Sequence, residues 1–422
     1  MANLVRREQY LESLRAGKDA TGVVKVVTGM RRSGKSTLFG QYMDDLRSSG
    51  VPDDRILSIN FDALDAQDIK TSSDLNKVLS CAMPAAGMAY VFLDEIQNVE
   101  GWEKSVAALC ATGRCDVYVT GSNSKMLSAE LTTHISGRFV EIRMLPLSFK
   151  EYLELHPSGD LDLRFREYVR YGSLPDADPE RGERFCDGYL EGVFNTVLVK
   201  DILGRLKTDE VSKIESVARF LYSNIGNVTN IASIAKGAGI SGATADRYVS
   251  KMEESLLFYR AEKYDVIGKR LLETNGKYYA SDLGMRSAAL KGAGGADFSR
   301  PLENVVFLEL VRRGYNVRVG SFRDREVDFA AFRGDSVEYY QVAATMLSDE
   351  TRGRELRPLN GIRDNFRKTI ITMDRVGLGS ENGIDIVNLY DWLLGRHDGA
   401  GARIAIEPSP RRGWEQFKND KN

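Results

Sequence analysis

Residues Gly29, Met30, Arg31, Arg32, Ser33, Gly34, Lys35 and Ser36 satisfy the pattern G-x-x-x-x-G-K-[ST] at every fixed position, and no other feature restricts the fold as strongly. An apolar run at 23–28 precedes this loop, and a helical pattern follows in which Leu38, Phe39, Tyr42, Met43 and Leu46 share one face. A strand must therefore deliver the chain into a tight turn, and a helix must leave it. The glycines let the backbone fold around phosphate oxygens, while successive N–H groups and the helix N-terminus supply partial positive charge. The nucleotide expected is ATP or ADP, with Lys35 placed to bridge the β- and γ-phosphates of ATP, Ser36 to ligate Mg²⁺, and Thr37 to close the nucleotide-binding segment.

Short β-rich runs at 23–28, 56–61, 90–93, 117–120 and 139–144 alternate with helical patterns, which predicts βαβ units around a mainly parallel sheet. The run ending in Asp94 and Glu95 brings two carboxylates to a strand's C-terminal end, where ligands sit in open α/β sheets. Asp94 is expected to hold Mg²⁺ through water, and Glu95 to orient and polarise the attacking water. Ser122 and Asn123 end the next strand and are candidates for hydrogen bonding the γ-phosphate or the water; an ordinary Ser/Asn turn is the alternative. Arg138 precedes the last strand and is a candidate arginine finger for a neighbouring subunit, with a plain surface arginine as the alternative.

A chain of 422 residues is long enough for about two to four units. Residues 148–214 read as helical, broken at Tyr171, Gly172, Ser173, Leu174 and Pro175, and suit a lid or linker. Beyond them, Ile231 to Ala235, a turn, and a helix capped by Ser241 form a helix-turn-helix pattern followed by a hairpin. A helical run at 301–312 and strands at 317–319, 327–332 and 339–342 outline a further small α/β fold. The polar, basic segment 396–422 is expected to be mobile. With a net charge of -2, any nucleic-acid contact must come from a local patch. Four cysteines without a CxxC pair, and only three histidines, give no zinc pattern. The N-terminus carries no secretory apolar core and no apolar run is long enough to span a bilayer, so a cytoplasmic location without membrane contact is expected.

With these pieces together the chain resembles a bacterial and archaeal family of AAA+ ATPases that join a P-loop core to a C-terminal region of unassigned function. The resemblance spans nearly the whole sequence. It is carried by residues 28–36, 92–97, Trp102, 120–124 and 145–149, then by 171–175, 200–202, 227–248, 277–282, 326–329 and 340–342. It implies an α/β P-loop core over 1–147, a helical lid over 148–214, a winged helix over 215–290 and a nuclease-like domain over 300–395. It also implies a ring or helical homo-oligomer in which Arg138 acts across the interface.

Nucleases of the resembled PD-(D/E)xK type need an acidic residue on a helix, an aspartate at a strand end and a Glu/Gln-x-Lys on the next strand, where this chain has Glu303, Asp328 and Gln341. Ala343 stands where that lysine belongs, with Lys368 as a distant substitute, so a degraded, binding-only fold is expected. For DNA, the candidate contacts are Thr244, Arg247 and Lys251 on the second helix, with Lys269 and Arg270 on a basic wing. The leading expectation is an oligomeric ATPase coupled to DNA binding or remodelling. A nucleotide-switched signalling scaffold and an ATP-gated, metal-dependent nuclease are the alternatives.

Overall fold

A computed structural model describes residues 4–127, 135, 137–204, 210–292, 298–323 and 325–396. The chain forms two compact units: Met1–Pro146 with Leu174–Asp176 and Glu254–Leu256, and Leu147–Ser173 with Ala177–Glu253 and Leu257–Asn422. The segment 397–422, expected to be mobile, lies outside the described residues.

The first unit is built on five parallel strands, β1 (Val24–Gly29), β2 (Ile56–Asn60), β3 (Ala89–Asp94), β4 (Cys115–Gly121) and β5 (Phe139–Met144), in the order β2-β3-β4-β1-β5. Every predicted strand of this region is present, because the central three are buried along their whole length and so read as unbroken apolar runs. The edge strands β2 and β5 are partly exposed. On one face, α1 (Glu8–Ala16) and α2 (Lys35–Ser48) pack Leu11, Leu14, Leu38, Phe39 and Tyr42 against Val27, Phe92 and Tyr118. On the other, α3 (Ser72–Ala82) and α4 (Trp102–Ala111) set Leu75, Leu79, Trp102 and Val106 against Val26, Val91, Leu93 and Val119. Each fully buried side chain of this size contributes about 1.5–3 kcal/mol.

Two charges interrupt the central strands. Lys25 of β1 is 1% exposed and Asp116 of β4 is fully buried. They neutralise each other in a direct ion pair, and Asp116 also accepts from the Asp19 N–H at 2.8 Å and the Tyr118 hydroxyl at 2.7 Å.

The second unit starts with α5 (Phe149–Leu155), α6 (Leu161–Tyr171), α7 (Glu183–Thr196), a π-helical turn over Val197–Leu203 and α8 (Val211–Ser223). Ser148 caps α5 reciprocally with Glu151, which gives residues 145–149 a structural task. The break after α6 is held by the Asp282 carboxylate, which accepts from the Ser173 N–H at 2.6 Å and its hydroxyl at 3.0 Å.

Next come β6 (Val228–Thr229), α9 (Ile231–Ala238), α10 (Gly242–Glu254) and a hairpin of β7 (Phe258–Asp265) and β8 (Arg270–Ala280). The helix-turn-helix and hairpin occur where the periodicity puts them. After α11 (Leu283–Leu290) and α12 (Ser299–Arg312) follow β9 (Asn316–Phe322), β10 (Arg325–Arg333), β11 (Ser336–Ala343), α13 (Asp349–Gly361), β12 (Lys368–Thr372), β13 (Gly379–Glu381), β14 (Ile384–Asn388) and α14 (Leu389–Leu393).

The sequence outlines two separate small folds here, and the structure differs. A single nine-stranded sheet, β13-β14-β12-β11-β10-β9-β7-β8-β6, runs through both. The joint is the edge of β7, whose open backbone groups pair in parallel with β9 from Lys263↔Val319 to Asp265↔Ser321.

Candidate functional site

The phosphate loop leaves β1 at Gly29 and enters α2 at Lys35. Gly34 has φ +99, a left-handed conformation that favours glycine. A Cβ at Gly29 would stand 2.5 Å from the Met144 carbonyl of β5, so the closeness of these strands also demands glycine. Buried Arg7 braces the turn from outside, donating to the Ser33 carbonyl at 3.3 Å and the Leu145 carbonyl at 2.8 Å.

Lys35 is 4% exposed, and its ammonium donates to the carbonyls of Gly29 at 3.2 Å and Met30 at 3.3 Å. It also lies 3.3 Å from Glu95 Oε1. The loop lysine and the acid after β3 thus meet, although β4 separates their strands. Ser36 and Thr37 are exposed at the start of α2, and the Ser36 hydroxyl bonds Asp94. Arg31 pairs weakly with Asp62 at 3.5 Å, while Arg32 is exposed with φ +67.

Asp94 and Glu95 differ in environment. Burial pushes the Asp94 carboxyl up, against hydrogen bonds from Ser36 and Thr120. Burial also acts on Glu95, but the Lys35 ammonium and the Gln97 amide outweigh it and hold that carboxyl below its usual range. Glu95 therefore stays ionised at neutral pH. Its backbone is left-handed, φ 56 and ψ 43, a strained conformation of the kind that gathers at functional sites.

Two residues whose roles the motif does not reveal complete the acidic end. The Thr120 hydroxyl donates to Asp94 Oδ1 and accepts from the Glu95 N–H at 2.9 Å. Strand register explains the contact: Leu93 pairs with Val119, so the next residue of β4 falls beside Asp94. Gln97 donates its amide to Glu95 Oε2 at 2.5 Å.

Ser122 and Asn123 are both buried at the end of β4. The hydroxyls of Ser33 and Ser122 and the Gln97 carbonyl oxygen have no hydrogen-bond partner among the described residues. Arg138 is exposed at the opposite end of the sheet from the loop. Five register steps lie between the Phe139↔Val24 and Met144↔Gly29 pairs, roughly 17 Å at about 3.3 Å per residue.

In the second unit, Arg247 is exposed on α10, Lys251 is partly buried, and Thr244 is engaged in the helix cap with Ser241. Lys269 and Arg270 are exposed at the turn of the β7–β8 hairpin. Glu303, Asp328 and Gln341 do come together, on α12, β10 and β11: Gln341 Oε1 accepts from the Asp328 N–H at 3.2 Å, and Lys277 of β8 contacts both acids. Lys368 does not join them. Its ammonium is tied to the Asp364 carbonyl at 2.8 Å and carboxylate at 3.1 Å.

The AAA domain family matches residues 22–153, and a domain of unknown function matches residues 162–294. The chain is 38% identical over 401 residues to an uncharacterized protein of Haemophilus influenzae, an alignment that covers 93% of this chain and 99% of the relative. It is 28% identical over 409 residues to an uncharacterized protein of Methanocaldococcus jannaschii, covering 88% of each. Among solved structures, Cdc6p from Pyrobaculum aerophilum aligns with 70% of this chain and 95% of its own at 11% identity and a TM-score of 0.31. No helix among the described residues is long and apolar enough to cross a membrane.

Proposed function

This chain belongs to one family with its Haemophilus influenzae relative and carries an AAA domain over residues 22–153, and from that premise we propose that it is an ATPase that binds ATP with Mg²⁺ along residues 29–37 and hydrolyses it at Glu95. One observation carries the reading: the Lys35 ammonium and the Glu95 carboxylate converge at 3.3 Å, beside Asp94 and Ser36. The surroundings fit a bound polyphosphate. Two buried serine hydroxyls, Ser33 and Ser122, have bonds to give. A hard divalent cation suits the hydroxyl of Ser36 and the carboxylate of Asp94, whose burial such a charge would compensate. When bound it supplies Lewis-acid stabilisation of phosphate charge. Lys35 then binds phosphate oxygens, and ionised Glu95 accepts a hydrogen bond from the attacking water and aims it. In calorimetry with Mg²⁺ present, the wild-type chain is expected to take up ATP and Lys35→Ala to take up none.

The reading extends to an oligomer that engages DNA. Arg138 is exposed and too far from its own loop to serve it, which supports a role at a neighbour's site. Exposed Arg247, Lys269 and Arg270 support phosphate contacts from the helix-turn-helix and its wing. A second reading, nucleotide-controlled protein assembly, draws on the mixed charge of α10, where Asp246, Glu253 and Glu254 accompany Arg247 and Lys251. Gel shifts with single- and double-stranded DNA, with and without ATP, decide between them: DNA binding that weakens steeply with salt supports the first, and none supports the second.

A further inference from the structure

The nuclease-like site holds a cation that belongs to the chain itself. Lys277, on β8 of the hairpin, extends its ammonium to 2.8 Å from Glu303 Oε1, 2.7 Å from Glu326 Oε1 and 3.8 Å from Asp328 Oδ1. Its side chain is 5% exposed. The three carboxylates come from α12 and β10 and are otherwise well used. Glu303 Oε1 also accepts from the Tyr279 hydroxyl at 2.6 Å, and Asp328 Oδ2 accepts from the Val342 N–H at 2.9 Å. Glu326 has a second ammonium, Lys263, at 3.4 Å. Gln341, the remaining member of the expected metal set, gives its amide to Glu355 at 3.0 Å.

A metal-dependent nuclease does not fit this arrangement. The place between Glu303 and Asp328 where a divalent ion would gain its charge is filled by a primary ammonium within hydrogen-bonding distance of Glu303 and 3.8 Å from Asp328, and an added dication would face that like charge in a dry setting. Burial opposes the charge on Lys277, yet Glu303, Asp328 and Glu326 outweigh it, and its pKa is raised.

We propose that Lys277 is the resident cation of this site, excluding divalent metal and fastening the hairpin to α12 and β10. Asn304 of α12 strengthens the same joint, its amide accepting from the Ala280 N–H at 2.7 Å and donating to the Ala280 carbonyl at 2.9 Å. The C-terminal fold is accordingly a structural clamp around a carboxylate socket, and the chemistry of the chain stays at the nucleotide site.

The test is uptake of Mn²⁺ alone, in the absence of nucleotide, by the full chain, read by electron paramagnetic resonance. Lys277→Met is expected to bind about one Mn²⁺ per chain more than wild type, and adding Asp328→Asn to abolish the gain. The proposal is overturned if wild type already binds an Mn²⁺ that Asp328→Asn removes, or if folded Lys277→Met gains none. Should Lys277→Met not fold, lysine acetylation of the wild type followed by peptide mass spectrometry decides. Lys277 is then expected to react at least about tenfold more slowly than exposed Lys269, and reaction at the Lys269 rate overturns the proposal.

Discussion

Glu95 is gripped from both sides, by Lys35 at 3.3 Å on Oε1 and by the Gln97 amide at 2.5 Å on Oε2. On the proposed mechanism, phosphate competes for the lysine and leaves the glutamine, which makes Gln97 the side chain expected to keep the carboxylate oriented. Gln97→Leu keeps the bulk and removes the donor. It is expected to lower kcat about tenfold while ATP affinity stays within about twofold, as steady-state turnover and calorimetry on one preparation will read. The motif singles out Lys35, Ser36, Asp94 and Glu95, which the structure brings together, because their types and spacing are those that phosphate and metal chemistry would dictate. Gln97, Thr120 and Arg7 were not legible in these roles. Glutamine and threonine near a strand end serve many purposes, and Arg7 acts through backbone carbonyls 26 and 138 positions away, with no local pattern to betray it.

At the scale of elements, legibility followed burial. Strands β1, β3 and β4, covered on both faces, announce themselves as apolar runs, whereas the pairing of β7 with β9 is made by backbone groups and leaves no side-chain signature. The three-residue β13 is too short for any periodicity to show. One departure from apolar strand composition can be tested directly. Removing either partner of the buried Lys25–Asp116 pair strands the other charge between β1 and β4. Lys25→Ala or Asp116→Ala is expected to cost about 3–5 kcal/mol, and the double replacement Lys25→Met with Asp116→Leu less than the sum, by urea unfolding of the first unit. In the second unit, His156 after α5 lies under the Tyr152 ring, 3.8 Å from Asp178 and 4.0 Å from Glu180, with Arg164 and Glu167 nearby. Burial lowers its pKa below the ordinary 6.5 against the pull of Asp178, so the unfolded chain takes up the proton first. Stability from this site is complete above about pH 6.5 and is lost as pH falls through the folded value. Thermal melts from pH 7.5 down to 5.5 are expected to drop more for wild type than for His156→Gln.

For the whole molecule, the sequence indicated a P-loop core followed by further folds, and the structure shows two units, each with its own sheet. Assembly leaves no mark in strand patterns, since an arginine at an interface, the role proposed for Arg138, has the composition of any exposed surface. If Arg138 serves a neighbour's nucleotide, chains carrying Arg138→Ala and chains carrying Lys35→Ala will each be nearly inactive alone and will recover part of the ATPase rate when mixed. No recovery in mixtures that demonstrably co-assemble means that Arg138 has no such role. The loop ending at Lys35 and the acid at Glu95 are proposed to act on one triphosphate, and single-turnover phosphate release with ATP occupancy measured on the same samples tests this most directly. The expected result is that Glu95→Gln binds ATP as wild type does and releases phosphate about a hundredfold or more slowly. Release by Glu95→Gln at the wild-type rate, or no ATP taken up by the folded wild-type chain, contradicts it.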